Sequence, residues 1–544
     1  MASTGPLILA VDQGTSSTKA LLVAPGGRVV SRGAAPVSER QPRPGWVDQS
    51  AEEIWESVRR AVADCVDPAL APHVAGVGFS TQRESLVLWE RHTGRPVGPL
   101  VSWQDQRTTR QCLDLAATGA GALVRAASGM PLDPMFSALK ARWLLDAHDP
   151  DRRRSLAGEL CLGTVDSWLL SRFGGDHVVE VGNASRTQLM NIATRQWDGA
   201  LLDLFGVPRE VLPRITASCG DFPALRGLAP LPDGVPVLAV MGDSHAAMFA
   251  HGGWRPGVVK ATYGTGSSVM AVGDCDDAPG LCRSVAWDVT GPVLAVEGNI
   301  RATGRALSWL AELFGISPEA LLEEAAEQAP DGVHLVPAFG GLGAPWWEPD
   351  AVAVLSGLTL GTRRGHLAAA ALEAVAFQVE DVLTAVERAT GEVRVLLADG
   401  GLTRSARVMQ LQADVGGRVV SRSAEHDLSS LGVADAAGLA AGLWTLADLE
   451  ARPRPADEFR PRGDELDRAA RRAAWHEAVR RSRPRGAETS PPHTNRKTFP
   501  PGADREAFPS HTDREAFPPG ADREAFPSHT DRETDGTLAE RSGS

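Results

Sequence analysis

Two stretches of the chain share one pattern, in which two apolar runs flank a turn rich in glycine and hydroxyl groups. The first is LILAVDQGTSSTKALLV, Leu7 to Val23, and the second is VVKATYGTGSSVMAV, Val258 to Val272. A tight turn needs the glycine but not the surrounding Thr and Ser residues. Glycine lets the backbone approach a ligand closely, and successive N–H groups with hydroxyls form an anion-binding nest. The repetition predicts two related domains that face each other and hold phosphate groups between their turns.

Apolar runs of strand length alternate with longer segments of helical length along the chain. The strand candidates are Leu7–Val11, Val74–Phe79, Val235–Val240, Val258–Ala261 and Val393–Ala398. The helix candidates are Ala51–Ala63, Thr303–Leu313, His366–Ala389 and Ser405–Val415. This alternation predicts a mixed α/β architecture. A length of 544 residues fits two to four domains, at roughly 100–200 residues per domain.

Charge and cysteine content narrow the classes of function. The formal net charge of -13 argues against nucleic acid or an anionic membrane as the main partner, because both require a basic surface. We see no apolar run long enough to span a membrane and no signal peptide. The six cysteines form no C-x-x-C pair, which predicts reduced thiols and a cytoplasmic protein.

The C-terminal segment differs from the rest in composition. From Thr498 to Glu533, the nine-residue units AFPPGADRE and AFPSHTDRE alternate, with one Phe in each unit. So little apolar surface cannot offset the entropy cost of ordering the chain. We therefore expect residues 486–544 to form a disordered tail.

Polar residues at the ends of predicted strands are candidates for chemistry. The first turn matches neither a P-loop nor a dinucleotide fingerprint, but Asp12 at the strand end could hold Mg²⁺ directly or through water. In STQRES, Arg83 and Glu84 form either a surface corner or a site for a polar ligand. On extended backbone these adjacent side chains would point in opposite directions.

Two further strand ends carry candidates of this kind. In VLAVMGDSHAAMFAHG, Asp243 is either a helix cap or a general base that faces the phosphates. In LLADGGLTRSA, the pair Gly400 and Gly401 offers a flat surface for a base or a ribose. The glycine pair alone is a weak signal.

Motifs of one known family occur in order from about Leu7 to Arg481. They include AVDQGTSSTKA, RPGWVDQSAEEIW, STQRES, VSWQDQRT, FSALKARWLL, GNASRTQLMNI, GDSHAAMFAHG, KATYGTGSS, VPAFGGLGAPWW, LADGG and LGVADAAGLAAGLW. These motifs resemble the FGGY carbohydrate kinases, and within them the glycerol kinases most closely. The resemblance implies two actin-like, ribonuclease H-like domains around a central cleft, at residues 1–246 and 247–485.

The same resemblance implies a role for individual positions. Asp243 is implied as the base that accepts the proton of a substrate hydroxyl, and Asp12 and Asp243 as the residues that hold Mg²⁺. The positions implied for the acceptor, mostly on the first domain, are Arg83, Glu84, Trp103, Met135, Ser244 and Ser268. The positions implied for ATP, mostly on the second domain, are Gly14, Thr15, Ser16, Lys19, Gly264, Thr265, Gly266, Gly400, Gly401 and Ser405.

The sequence departs from the glycerol kinase pattern at five of these positions. Met135, Ser244 and Ser268 stand where a Tyr, a Gln and a Phe are usual in the acceptor site. Lys19 and Ser405 stand where an Arg and an Asn are usual on the nucleotide side. The acceptor-site changes leave extra volume and add hydroxyl groups, which favours an acceptor larger than glycerol.

These observations predict ATP-dependent phosphorylation of a primary hydroxyl on a small polyol or sugar. Glycerol is the best-known acceptor of this branch, and C4–C5 compounds such as erythritol, xylitol or xylulose are the alternative. A non-catalytic binding relative and an actin-like ATPase are further alternatives, which the retained Asp12 and Asp243 and the lack of a peptide-binding domain argue against. The sequence leaves a homo-oligomer open and predicts no nucleic-acid partner.

Overall fold

The structure is a computed structural model that describes residues 5–174, 176–255, 257–273, 275 and 278–484. The tail predicted at 486–544 lies outside the described residues. The strands are β1 Leu7–Gln13, β2 Ser17–Val23, β3 Val29–Pro36, β4 Asp48–Gln49, β5 Val74–Thr81, β6 Leu86–Glu90, β7 Leu100–Val101, β8 Leu160–Thr164, β9 Val178–Glu180, β10 Met190–Asn191, β11 Gln196–Trp197, β12 Arg214–Thr216, β13 Val237–Gly242, β14 Val258–Tyr263, β15 Ser267–Val272, β16 Cys282–Asp288, β17 Pro292–Ile300, β18 His334–Val336, β19 Val354–Ser356, β20 Val395–Asp399, β21 Val419–Ser423 and β22 Ala456–Phe459.

The α-helices fill the segments between these strands. They are α1 Ala51–Cys65, α2 Thr109–Ala117, α3 Gly121–Ser128, α4 Ser137–His148, α5 Arg153–Leu156, α6 Val165–Ser171, α7 Val181–Ser185, α8 Gly199–Phe205, α9 Asp243–Ala250, α10 Gly304–Phe314, α11 Pro318–Glu327, α12 Arg364–Thr390, α13 Ala406–Gly416, α14 Leu428–Ala440, α15 Leu446–Ala451 and α16 Glu465–Ser482. Each strand and helix candidate of the sequence analysis is present, with bounds shifted by a few residues.

The N-terminal half is built on a five-stranded sheet in the order β13-β5-β1-β2-β3. The β1–β2 hairpin and β3 are antiparallel, whereas β5 and β13 run parallel to β1. Parallel strands end at the same edge of a sheet. The turn at 14–16, the loop at 82–85 and Asp243 follow β1, β5 and β13, so this topology brings them to one edge.

The C-terminal half repeats this arrangement in a seven-stranded sheet, in the order β16-β17-β15-β14-β20-β21-β22. The β14–β15 hairpin extends through antiparallel β17 on one side and through parallel β20 and β21 on the other. The turn at 264–266 and Gly400 follow β14 and β20, and therefore share an edge. The two related α/β domains expected from the sequence are confirmed.

Each sheet has its own hydrophobic core, and one helix joins the two halves. One face of the first sheet packs on α1 and α6, and the second sheet packs on α12 with α10, α11 and α13. The other face of the first sheet packs on α9 and on α14, which comes from the C-terminal half. A Cβ on Gly432 of α14 would lie 1.8 Å from the carbonyl oxygen of Ala246 in α9, so this close helix contact requires glycine.

Two further findings concern the expectations from composition. No described helix has both the length and the apolar character to cross a membrane. No disulfide joins the described cysteines, and Cys65, Cys112, Cys161 and Cys282 are buried. Burial raises the pKa of the Cys112 thiol to about 12. The expectation of reduced thiols agrees with this arrangement.

Candidate active site

Asp243 lies at the first residue of α9, directly after β13. One carboxylate oxygen, Oδ1, accepts the backbone N–H of Ser244 at 2.6 Å and lies 3.4 Å from Nε of Arg83. A third of the side chain is exposed, 33%, so a ligand in the cleft can reach it. Burial raises the pKa of the Asp243 carboxyl, and the charge of Arg83 opposes this shift. A carboxylate with a raised pKa on an accessible surface suits proton acceptance.

Arg83 and Glu84 face one polar network instead of opposite directions. The extended-backbone expectation fails because Glu84 has a φ of +61°, the left-handed region that non-glycine residues adopt only when contacts hold them there. The hydroxyl of Ser137 donates to the Glu84 carbonyl oxygen at 2.8 Å. The Glu84 carboxylate accepts a hydrogen bond from Arg186 Nε. Both side chains are buried, at 6% and 4% exposure, which excludes a solvated surface corner.

Trp103 and Met135 are positioned by a buried lysine. Lys140 Nζ donates to the Met135 carbonyl oxygen at 2.6 Å and to the Trp103 carbonyl oxygen at 3.2 Å. Burial lowers the pKa of this ammonium to about 8, although nearby carboxylates oppose the shift. The Trp103 indole N–H donates to Oγ1 of Thr15 at 3.0 Å. The predicted acceptor side therefore connects directly to the first glycine-rich turn.

The first turn presents a carboxylate and free N–H groups at the same edge. Ser80 donates to Asp12 Oδ1, and burial raises the pKa of Asp12 to about 6, with a further contribution from the charge of Asp243. Among the described residues, the N–H groups of Thr15 and Ser16 meet no acceptor. Lys19 Nζ forms an ion pair with Asp427 Oδ1 at 3.0 Å, so its positive charge lies next to the loop before α14.

The second turn has the same character. The N–H of Gly264 donates to the Gly266 carbonyl oxygen at 2.9 Å, while those of Thr265 and Gly266 have no acceptor within the described part of the chain. Gly400 has a φ of +96°, and a Cβ there would lie 2.4 Å from the Tyr263 carbonyl oxygen. Its backbone therefore packs on the end of β14, next to this turn.

The remaining predicted positions differ in what they contact. A Cβ on Gly401 would have open space, apart from a guanidinium nitrogen of Arg404 at 3.9 Å, as a flat binding surface requires. The hydroxyl of Ser405 accepts the N–H of Val408 at 3.4 Å, as the N-cap of α13. Ser268 lies opposite Asn299 in the β15–β17 pairing. Ser244 is the second residue of α9, half-buried beside Asp243.

Sequence reasoning missed several residues of this region. The buried side chains of Glu297 and Arg186 and the half-buried Asn299 form a polar group with Arg83 and Glu84. The signal for Glu297 was a single carboxylate in the otherwise apolar strand VLAVEGNI. Arg186 lay in the recognised GNASRTQLMNI motif without an assigned role.

A second missed group lies beside Gly400. The side chain of Asp399, at the end of β20, accepts from His251 Nε2 at 3.2 Å and lies 3.8 Å from Lys260 Nζ. Lys260 is nearly fully buried and belongs to the recognised KATYGTGSS motif. A buried lysine just before a glycine-rich turn was the sequence signal here.

Comparison with known proteins agrees with this architecture. Models of the FGGY family of carbohydrate kinases match the chain in both halves, the N-terminal domain at residues 7–250 and the C-terminal domain at residues 259–441. The chain belongs to this family. A glycerol kinase of Geobacter sp. (strain M21) is 40% identical over 494 residues, which covers 87% of this chain and 98% of the relative.

Two other relatives extend the comparison. An apulose kinase of Pectobacterium atrosepticum is 38% identical over 488 residues, covering 88% of this chain and 98% of the relative. The crystal structure of Plasmodium falciparum glycerol kinase with ADP superimposes with a TM-score of 0.81 at 28% identity, covering 88% of this chain and 98% of that chain. The FGGY protein described here is an ATP-dependent, glycerol kinase-like carbohydrate kinase. The glycerol kinase relatives do not favour the C4–C5 alternative.

Proposed function

We propose that this FGGY kinase transfers the γ-phosphoryl group of ATP to a primary hydroxyl of glycerol, with Asp243 as the general base. The observation that carries the proposal is the accessible Asp243 carboxylate beside Arg83, at the edge where the first glycine-rich turn also lies. The glycerol kinase relatives, which the chain matches over 98% of their length, support glycerol as the acceptor. In phosphoryl transfer, positioning and charge stabilisation supply most of the rate.

The proposed acceptor site lies mainly on residues 1–246. Arg83 and Glu84 would bond acceptor hydroxyls, and the Trp103 ring would face the carbon chain, with Met135, Ser244 and Ser268 completing the wall. Asp243 would take the proton of the attacking hydroxyl at its exposed carboxylate oxygen. The bond from Ser244 N–H to Oδ1 holds the carboxylate in place before the substrate arrives.

The proposed nucleotide site lies mainly on residues 247–485. The two turns, at Gly14, Thr15, Ser16, Gly264, Thr265 and Gly266, would bind the phosphates through their hydroxyls and through the free N–H groups of Thr15, Ser16, Thr265 and Gly266. Lys19 lies near the first turn. Gly400, Gly401 and Ser405 would line the adenosine. Since the cell's ATP and reduced thiols are found in the cytoplasm, we place the enzyme there.

The donor set fits Mg²⁺. Asp12 and Asp243 interact electrostatically, and among the described residues no group of three or more His, Cys, Asp or Glu side chains could hold a metal on its own. Mg²⁺ is commonly bound by one or two carboxylates together with substrate phosphates and waters. Asp12 and Asp243 would hold the ion, which neutralises phosphate charge when it is bound.

A coupled ADP-release screen with glycerol and with C4–C6 polyols and ketoses tests the proposal. We expect the highest kcat/KM with glycerol. A higher kcat/KM with a C4 or C5 compound would replace glycerol as the acceptor. ADP release that does not depend on any acceptor would contradict the kinase assignment itself.

A further inference from the structure

A buried carboxylate from the C-terminal half reaches into the acceptor site of the N-terminal half. Glu297 lies on β17, and its side chain is fully buried. Its two oxygens accept both terminal N–H groups of Arg83, at 2.7 and 2.8 Å. One of them also lies 3.1 Å from Arg186 Nη1. Bidentate arginine–carboxylate pairs fix geometry more strictly than single bonds.

The two arginines each hold a residue of the proposed site. Arg83 directs its third nitrogen, Nε, towards Asp243, and Arg186 directs its Nε to Glu84. Glu297 therefore contacts both guanidinium groups on the side away from the two functional carboxylates. Asn299 completes the group, since its amide donates to Glu297 at 2.9 Å and its oxygen accepts from Arg186 at 3.2 Å.

The charges in this group make Glu297 a permanent anion. Burial alone would raise the pKa of its carboxyl, but the charges of Arg186 and Arg83 outweigh burial and hold that pKa well below its usual value. Neither arginine can lose its proton at any working pH. The orientation of both guanidinium groups therefore depends on one carboxylate that stays ionised.

We propose that Glu297 is a positioning residue of the acceptor site, which holds Arg83 and Arg186 in the orientation that acceptor binding requires. The inference rests on the function proposed above and deepens it. Since β17 is paired with β15, the strand that leaves the second phosphate turn, the acceptor site is complete only when the two halves are together.

Removing the carboxylate has a predictable consequence for Arg83. Without Glu297, the fork of Arg83 is free to turn towards its next nearest anion, Asp243, whose Oδ1 is only 3.4 Å from Nε. The acceptor would then lose a hydrogen-bond donor in the orientation that it requires.

Steady-state kinetics of Glu297→Gln, with the acceptor that the wild type uses best in the screen, test this inference. We expect the acceptor KM to rise by roughly 10-fold to 100-fold, the usual effect of one charged hydrogen bond, while the KM of ATP stays the same. Glu297→Asp, which keeps the charge, should recover part of the acceptor KM.

Glu373→Gln is the matched control, because it removes another buried carboxylate that pairs with an arginine. Glu373 lies on α12, away from both turns, and its carboxylate is 2.7 Å from Arg471. It should leave both KM values unchanged. An acceptor KM equal to wild type in Glu297→Gln would overturn the inference. Equal losses for ATP and acceptor would also overturn it, because they indicate a merely structural role.

A variant that fails to fold and a wild-type enzyme that lacks activity can both be told apart from these outcomes. If Glu297→Gln does not fold, Glu297→Asp decides: a raised acceptor KM with an unchanged ATP KM supports positioning, and wild-type values contradict it. A wild-type enzyme that phosphorylates no acceptor would refute the proposed function itself, and that result is visible before any variant is made.

Discussion

Replacing Asp243 by Asn removes the proposed proton acceptor and preserves the shape of the side chain. Asp243 Oδ1 accepts the Ser244 N–H at 2.6 Å, and the side-chain oxygen of Asn can accept the same N–H and can still face Arg83. The change therefore keeps the geometry, while it removes the proton acceptor and with it one of the two carboxylates that would hold Mg²⁺. General-base assistance is worth about 10²–10⁴-fold in rate, or about 3–5 kcal/mol of barrier. We expect kcat to fall by that factor while ATP binding persists.

One assay measures kcat with saturating glycerol and ATP. Calorimetry with ADP measures nucleotide binding separately. Asp198→Asn is the control, because Asp198 is also an acidic residue at a helix start, where its side chain accepts the Leu201 N–H at 3.1 Å. That variant should keep the wild-type kcat. If Asp243→Asn also stays within a few-fold of wild type, Asp243 serves only as a helix-start residue and the reasoning is refuted.

Three further predictions concern other parts of the chain. Because burial lowers the pKa of Lys140 from 10.5 to about 8, the unfolded chain binds this proton more tightly, so the free energy of unfolding of the wild type relative to Lys140→Met should rise by about 3 kcal/mol between pH 8 and pH 10.5. The buried cysteines titrate in both proteins and cancel in this difference, and an identical pH dependence of denaturant unfolding in the two proteins would contradict the assignment. Trp103→Phe and Thr15→Val remove the two sides of one hydrogen bond, so the double variant should lose less kcat/KM than the sum of the two single losses; additive losses would show that the bond does not couple them. A chain that ends at Arg485 should keep its melting temperature and kcat, because the repeats beyond it contain too little apolar surface to pack; a clear drop in either by calorimetry or kinetics would refute this.

The fold was largely predictable because its signals are local. Several central strands are apolar runs that end next to a glycine, as β1 does before Gly14 and β14 before Gly264. Helices such as α12 carry long runs without Gly or Pro in their interior. The repeated hairpin predicted the relation between the halves, since the same pattern of strand, turn and strand recurs. The order of strands within each sheet came from long-range pairing, which no local pattern encodes.

The site was predictable where one motif carries the chemistry and not where distant residues meet. Asp243 and the two turns lie within short motifs at strand ends. Glu297 meets Arg83 over a separation of 214 residues, so only the anomaly of a charge in an apolar strand pointed to it. The direction of Glu84 depends on a left-handed backbone that Ser137 and Arg186 hold in place, and composition around Glu84 does not reveal it.

A direct measurement of phosphoryl transfer from ATP to glycerol tests the central claim most directly. ATP labelled at the γ-phosphoryl group is incubated with the enzyme, Mg²⁺ and glycerol, and the products are followed by ³¹P NMR. We predict one phosphomonoester at a primary carbon of glycerol for each ADP formed, with little inorganic phosphate. ADP accompanied by inorganic phosphate alone would identify an ATPase and contradict the account.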